Sequence, residues 1–173
     1  MIYYSKNKKL SIRDIKETDI EIIRIWRNQT DIKQYFINTD TINKQQQQQW
    51  FIDYLKKAAD QMFMIQEHEH FKSVIGTTAL YNIDTKKHSA EFGRLMIGHI
   101  PAQRKGFGKQ ATTLTCKYAF ERLDMSEVYL YVLPHNIRAI TLYKKIGFLP
   151  INMQDNKMYM VLNKKNFLIN NTD

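Results

Sequence analysis

The sequence predicts one α/β domain, of the mixed α+β kind, spanning residues 1–173. A chain of 173 residues is about one domain in length and large enough to bury a core. Nothing in it is long enough to serve as a linker to a second domain. Read in order, the apolar periodicity changes between strand-like and helical in the sequence β-α-α-β-β-β-α-β-α-β-β, which is seven strands and four helices.

Residues 10–13 form the first expected strand. Thr18-Asp19-Ile20-Glu21 has the form of a capping box, with Thr18 as N-cap and Glu21 reaching back. The helix it opens has Ile22, Ile23 and Trp26 at core spacing. Thr41 is the candidate cap of a second helix over 45–57, whose apolar side includes Trp50, Phe51, Tyr54 and Leu55. Five consecutive glutamines, 45–49, read as a mostly exposed face of that helix, since Gln tolerates helix well. Residues 62–66, 74–83 and 90–97 read as strands joined by polar turns at 68–72 and 84–88, and Gly76 marks a bulge in the middle one. A helix over 108–123, a strand over 128–132 and a helix from Asn136 follow. Strands at 149–153 and 157–162 close the chain as a hairpin turned by Gln154-Asp155-Asn156.

The segment Gln103-Arg104-Lys105-Gly106-Phe107-Gly108 stands between a strand and a helix. Glycines without side chains let such a loop turn tightly and bring its amides close to phosphate oxygens. The first turn of the next helix adds unpaired N–H groups and the positive end of its dipole. Arg104, Lys105 and Lys109 add full charges at the same point. The spacing is neither that of a nucleoside-triphosphate P-loop nor Gly-x-Gly-x-x-Gly. Gln-x-x-Gly-x-Gly resembles instead the acetyl-coenzyme A signature of the GNAT acetyltransferases. About 30 residues on, the run from Asn136 to Phe148, Asn-Ile-Arg-Ala-Ile-Thr-Leu-Tyr-Lys-Lys-Ile-Gly-Phe, resembles that family's second signature, Asn-x-x-Ala-x-x-Leu-Tyr-x-x-x-Gly-Phe. The resemblance spans roughly residues 74 to 163. It implies a mostly antiparallel, strongly twisted sheet flanked by helices, with the strands at 90–97 and 128–132 splayed apart around the acyl-carrying arm of acetyl-CoA.

The resemblance also implies roles. Backbone groups of Leu95, Met96 and Ile97 would bind the pantetheine arm and could polarise the thioester carbonyl. Gln103, Arg104, Lys105, Gly106, Phe107, Gly108 and Lys109 would hold the pyrophosphate. Asn136 would bond the arm, with Arg138 and Lys145 as weaker candidates for the 3′-phosphate. Tyr143 matches the tyrosine that bonds the coenzyme's sulfur, and an ordinary phenol pKa near 10 suits it to donate a proton to a departing thiolate. Glu91 is the best base candidate, because strand alternation puts Glu91, Gly93 and Leu95 on one face and Phe92, Arg94 and Met96 on the other. It could equally anchor substrate or a buried network. His88 is the next candidate base. Neither motif presents Cys or Ser beside a base, so direct attack in a ternary complex is expected rather than an acyl-enzyme. Cys116, the single cysteine, reads as a small core residue and fits a reducing cytoplasm. His68-Glu69-His70 lacks a third ligand nearby, so no metal is expected.

Trp26-Arg27-Asn28 resembles a segment of the GNAT branch that acetylates amino groups on nucleotide-linked sugars, as in the pseudaminic acid pathway. Arg27 and Asn28 could meet a sugar phosphate or hydroxyl, and Trp26 could stack on an apolar face; the alternative is a core tryptophan beside a surface arginine. The stretch His88-Ser89-Ala90-Glu91-Phe92-Gly93 also resembles spermidine acetyltransferases, and protein N-terminal acetyltransferases share the broad pattern. The formal charge of +9 favours anionic partners over a polycation. No basic stripe interleaved with aromatics stands out, so nucleic acid is not the expected partner. No apolar run approaches the roughly 18 residues of a membrane span, and no signal peptide is apparent. The expectation is therefore a cytoplasmic N-acetyltransferase using acetyl-CoA on a small-molecule amine, with an amino sugar leading and a polyamine or a protein N-terminus as alternatives. A non-catalytic acetyl-CoA or nucleic-acid binding module is the alternative outside enzymes. The oligomeric state, a homodimer included, stays open.

Overall fold

The computed structural model describes residues 1–36 and 38–170. One twisted sheet of eight strands runs through them, in the order β1-β2-β3-β4-β5-β6-β8-β7: β1 Ile2–Tyr4, β2 Leu10–Asp14, β3 Gln61–Glu67, β4 Ser73–Asp84, β5 Ser89–Ile97, β6 Glu127–Val132, β7 Leu149–Gln154 and β8 Lys157–Asn163. Every neighbouring pair is antiparallel except β5 and β6. Parallel neighbours need a long crossover, and α4 (Phe107–Arg122) supplies it. The other helices are α1 (Ile20–Arg27), α2 (Thr30–Lys33), α3 (Lys44–Tyr54), α5 (Ile137–Ile146) and α6 (Lys164–Asn170).

Both faces of the sheet are covered, so its central strands are apolar on both sides. On β3, Phe63 and Ile65 join a core with Phe92, Leu130, Tyr143 and Ile146 that packs under α4 and α5. Met62 and Met64 face the other way, into a core with Ile23, Trp26, Phe51 and Met96 beneath α1 and α3.

The expected strands and helices are all present, and β1, α2 and α6 add to them. Three residues followed by Ser-Lys-Asn-Lys-Lys carry too little alternation to announce a strand, and a seven-residue helix carries too little periodicity. Both expected caps move. A short 3-10 turn, Glu17–Asp19, precedes α1, and Asp19 accepts from the Lys16 backbone N–H at 2.8 Å while gripping Arg13 through both its oxygens. Glu21 bonds Arg24 instead of reaching back to Thr18. Helix α3 is capped by Asn43 rather than Thr41: Asn43 Oδ1 accepts from Gln46 N–H, and Gln46 Oε1 accepts from Asn43 N–H, both at 2.9 Å. Of the glutamine tract only Gln47 is buried.

Two irregularities shape the centre. The β3–β4 register slips beside Gly76, where an added Cβ would lie 2.1 Å from the Met96 carbonyl oxygen, so only glycine fits. On β5, Arg94 takes a left-handed φ of 51° and the pairing with β4 shifts between Thr77 and Ala79. Thr77 Oγ1 fixes this bulge by donating to the Arg94 carbonyl at 2.9 Å. The extra residue reverses the alternation beyond it. Leu95 therefore packs with Phe92, and Met96 lies on the opposite face with the Trp26 core, which corrects the strict alternation expected from the sequence.

Candidate active site

Strands β5 and β6 pair only through Ser89–Glu127, Ala90–Val128 and Glu91–Tyr129. Past Glu91 they separate, which leaves the backbone edge of residues 92–97 facing a gap. A cleft of about 550 Å³ runs through that gap and is open to both faces of the sheet. On the α4–α5 side its wall includes Leu95, Gln103, Arg104, Gly108, Asn136 and Tyr143. On the other side it meets Tyr81, Gly93, Arg94, Tyr131 and Lys157, with Arg27, Tyr35 and Phe36 across the mouth. Tyr35 also stacks on His135, ring centroids 6.5 Å apart, and so joins the α2 segment to the β6–α5 loop over the gap.

The glycine loop is built for close approach. Gly106 has φ +84° and precedes α4, and a Cβ added there would touch nothing within 4 Å. Helix α4 has no side-chain cap, and its first bond to the loop is Gln110 N–H to the Gly106 carbonyl. The amides of Phe107, Gly108 and Lys109 thus lack intrahelical acceptors. Gln103 Nε2 donates to the Ile97 carbonyl at 3.0 Å and fastens the loop to the end of β5. Arg104, itself left-handed with φ 61°, faces the cleft. Lys105 instead lies over the Phe71 ring, Phe107 packs edge-on against the same ring, and Lys109 borders a separate surface hollow beside Lys6 and Lys117. The open glycine cradle, unpaired amides and flanking arginines fit a pyrophosphate, and the narrow gap beside the free edge of β5 fits an extended acyl arm.

Tyr143 is buried in the cleft wall, its ring edge-on to Phe92 and tilted against Phe148. Burial first, and Cys116 nearby second, push its phenol well above the ordinary range. The hydroxyl therefore stays protonated at neutral pH and faces the cleft as a hydrogen-bond donor. Asn136 caps α5 by accepting from Ala139 N–H at 3.2 Å, which commits Oδ1 and leaves the amide nitrogen as its donor. Arg138 lines the cleft. Cys116 is fully buried, and burial raises its thiol pKa, as befits a core residue.

The acceptor-side expectations fare unevenly. Arg27 reaches the cleft: Nη2 donates to the Asn38 carbonyl, the guanidinium lies 3.9 Å over the Phe36 ring, and Nη1 is buried without a partner. Trp26 does not reach it. Its indole fills the space where Gly98 has no side chain, 2.0 Å from a hypothetical Cβ, and belongs to the core. Asn28 spends both ends of its amide on the Ile42 backbone. Glu91 is not part of the cleft wall; its carboxylate accepts from Asn82 at 2.8 Å. His88 sits in the β4–β5 turn, bonded to the Asp124 carbonyl, away from the cleft. At the β3–β4 turn the Glu67 oxygens accept backbone N–H groups of Glu69, His70 and Phe71, so this acid locks a turn. Sequence reasoning missed Tyr81, Arg94, Tyr131, Tyr35 and Phe36. Only Gly93, a glycine inside a strand, signalled that a neighbouring ring might fill its place.

The chain matches the acetyltransferase (GNAT) domain family over residues 9–149. It belongs to that family, whose members move the acetyl group of acetyl-CoA to an amine, and it is an acetyl-CoA-dependent N-acetyltransferase acting on a primary amine. Among particular relatives, the spermidine N(1)-acetyltransferase of Vibrio cholerae is 25% identical over 142 residues, covering 82% of this chain and 80% of its own. Its structure with CoA and spermine superposes with a TM-score of 0.81 at 22% identity, over 92% and 98% of the two chains. Acetyltransferase PseH of Campylobacter jejuni is 28% identical over 158 residues, covering 91% and 94%. The structure of FdhC, a nucleotide-linked sugar GNAT, gives a TM-score of 0.83 at 20% identity, over 98% and 94%. Further spermidine acetyltransferase structures match as well. Among the described residues no helix is long and apolar enough to cross a membrane.

Proposed function

We propose that this enzyme acetylates a primary amine on a small anionic carrier, with a nucleotide-linked amino sugar as the acceptor. One observation carries the choice: the acceptor side of the cleft is basic. Arg27 and Lys157 face it with only Asp31 as a lining acid, and the charge of Arg94 is balanced by Asp60, which it grips at 2.6 and 2.8 Å. A polycation would be repelled there, whereas a phosphate would be drawn in.

Acetyl-CoA supplies the activated acetyl thioester. Leu95 to Ile97 present backbone groups along the gap to orient the arm, and their amides polarise the carbonyl. Gln103 to Lys109 hold the pyrophosphate through amides, with Arg104 and Arg138 as its charged partners. Asn136 donates its amide to the arm. Tyr143 gives its proton to the leaving thiolate. Such a reaction belongs in the cytoplasm, where acetyl-CoA is at hand.

A polyamine acceptor is the second reading, and the spermidine acetyltransferases among the relatives favour it. A thiol-release assay with acetyl-CoA separates the two. Turnover with nucleotide-linked amino sugars, and none with spermidine or spermine, is the expected result. Turnover with polyamines alone would replace the sugar reading with the polyamine one.

A further inference from the structure

We infer that Tyr81 is the residue that meets the acceptor amine, and that its hydroxyl passes the amine's proton back to Glu91. This rests on the transferase reading above and adds the missing proton acceptor.

Glu91 is the only carboxylate on the β5 strand, yet it stops short of the cleft wall. Tyr81, its register partner on β4, does line the cleft. Directly paired residues of adjacent strands put their side chains on one face. The Tyr81 ring does not stand straight up from the sheet. It leans along β5 into the place left by Gly93: a Cβ on Gly93 would sit 2.4 Å from the Tyr81 hydroxyl oxygen and 2.9 Å from its ring. The hydroxyl therefore lies over the strand at the very point where β5 and β6 begin to part.

The ring is held from behind. Arg94, raised by its bulge, places its guanidinium 4.8 Å from the Tyr81 ring centroid, and Asp60 clamps that guanidinium with two bonds. The Glu91 carboxylate is fixed in turn by Asn82. Burial raises the Tyr81 phenol pKa, as does the charge of Glu91, its register partner, while Arg94 opposes them. A phenol so disfavoured as an anion cannot keep a proton deficit. It can accept a proton only while handing its own to the carboxylate beside it.

The atoms balance on that path. The amine nitrogen forms its bond to the acetyl carbon as the carbon–sulfur bond breaks. The nitrogen's proton goes to the Tyr81 oxygen, whose own proton moves to Glu91 and then to solvent. The sulfur takes its proton from Tyr143, which water replenishes.

The test compares Tyr81→Phe, Glu91→Gln and the double variant with wild type, over pH, in the thiol-release assay. Calorimetric binding of CoA reports that each variant keeps its fold and coenzyme site. Either single change should lower kcat by about 100-fold and flatten the acid limb of the profile, since general-base contributions are of that order. The double variant should be no slower than the worse single one, because both residues serve one proton path. Tyr81→Phe with wild-type kcat and an intact acid limb would overturn the relay, as would multiplicative losses in the double variant. If Tyr81→Phe failed to bind CoA, Glu91→Gln would decide alone, a retained acid limb counting against the proposal. A wild type silent with every amine would instead remove the transferase reading, and the relay with it.

Discussion

Replacing the two loop glycines by alanine should move stability in opposite directions and coenzyme affinity in the same one. At Gly106 the backbone is left-handed at φ +84° and the new methyl would meet nothing within 4 Å, so the whole folding cost is conformational. Holding an L-residue there costs about 1–2 kcal/mol. For a chain of this length that corresponds to a loss of about 2–8 °C in Tm. Gly108 lies inside the first turn of α4 with ordinary helical geometry, and its nearest neighbour would be Leu142 Cδ1 at 3.5 Å, a normal contact. Alanine there should stabilise by about 0.5 kcal/mol, because glycine in a helix gives up more chain entropy. With the pyrophosphate held as proposed, both methyls would stand where it meets the loop amides, and losing one charge-assisted hydrogen bond costs about 1.5–3 kcal/mol, a tenfold or greater loss of affinity. Thermal melts with calorimetric titration of CoA measure both effects. Gly108→Ala binding CoA as tightly as wild type would refute the placement of the phosphates at this helix start.

Tyr143→Phe should lower kcat by about 10² or more while leaving CoA binding within a few-fold, because it removes a proton donor and little packing; an unchanged kcat would remove the assigned acid. Glu67 is pressed towards neutrality by burial, but backbone N–H groups of Phe71, His70, Glu69 and Lys72 outweigh that and hold its pKa at about 2. The folded pKa is depressed from 4.5, so its contribution is complete above about pH 4.5 and drains away as pH falls towards 2. Glu67→Gln should therefore lower the melting temperature at pH 7 but lose that deficit in acid, as pH-resolved melts would record. Asp60→Asn leaves the Arg94 guanidinium half of its clamp, and urea unfolding should register a loss of about 2–4 kcal/mol.

Much of this protein was legible in local chemistry. The loop from Gln103 to Gly108 could be read as a close-approach loop before a helix start, because glycine freedom and unpaired helix amides are properties of a few consecutive residues. The helix after Asn136 was equally plain, since its cap, apolar spacing and Gly147 stop lie within one short run. Those features place Tyr143, Arg104 and Asn136 around a cleft whichever way the remainder packs. The acceptor side was not legible. Strict alternation on 90–97 misassigned Leu95 and Met96, because one bulged arginine, held by Thr77 from the next strand, reverses the faces beyond it. Trp26 and Asn28 looked like substrate groups beside Arg27, but a helix turns each neighbour by about 100°, so Trp26 goes under Gly98 and Asn28 to Ile42. Tyr81 became visible only when β4 was laid beside β5 in register and its ring fell into the space of Gly93. Consecutive residues can determine a turn, a cap or a helix start, because the atoms concerned are covalent neighbours. Which side chains meet across two strands depends on register and bulges, and those are set by contacts distant in the chain.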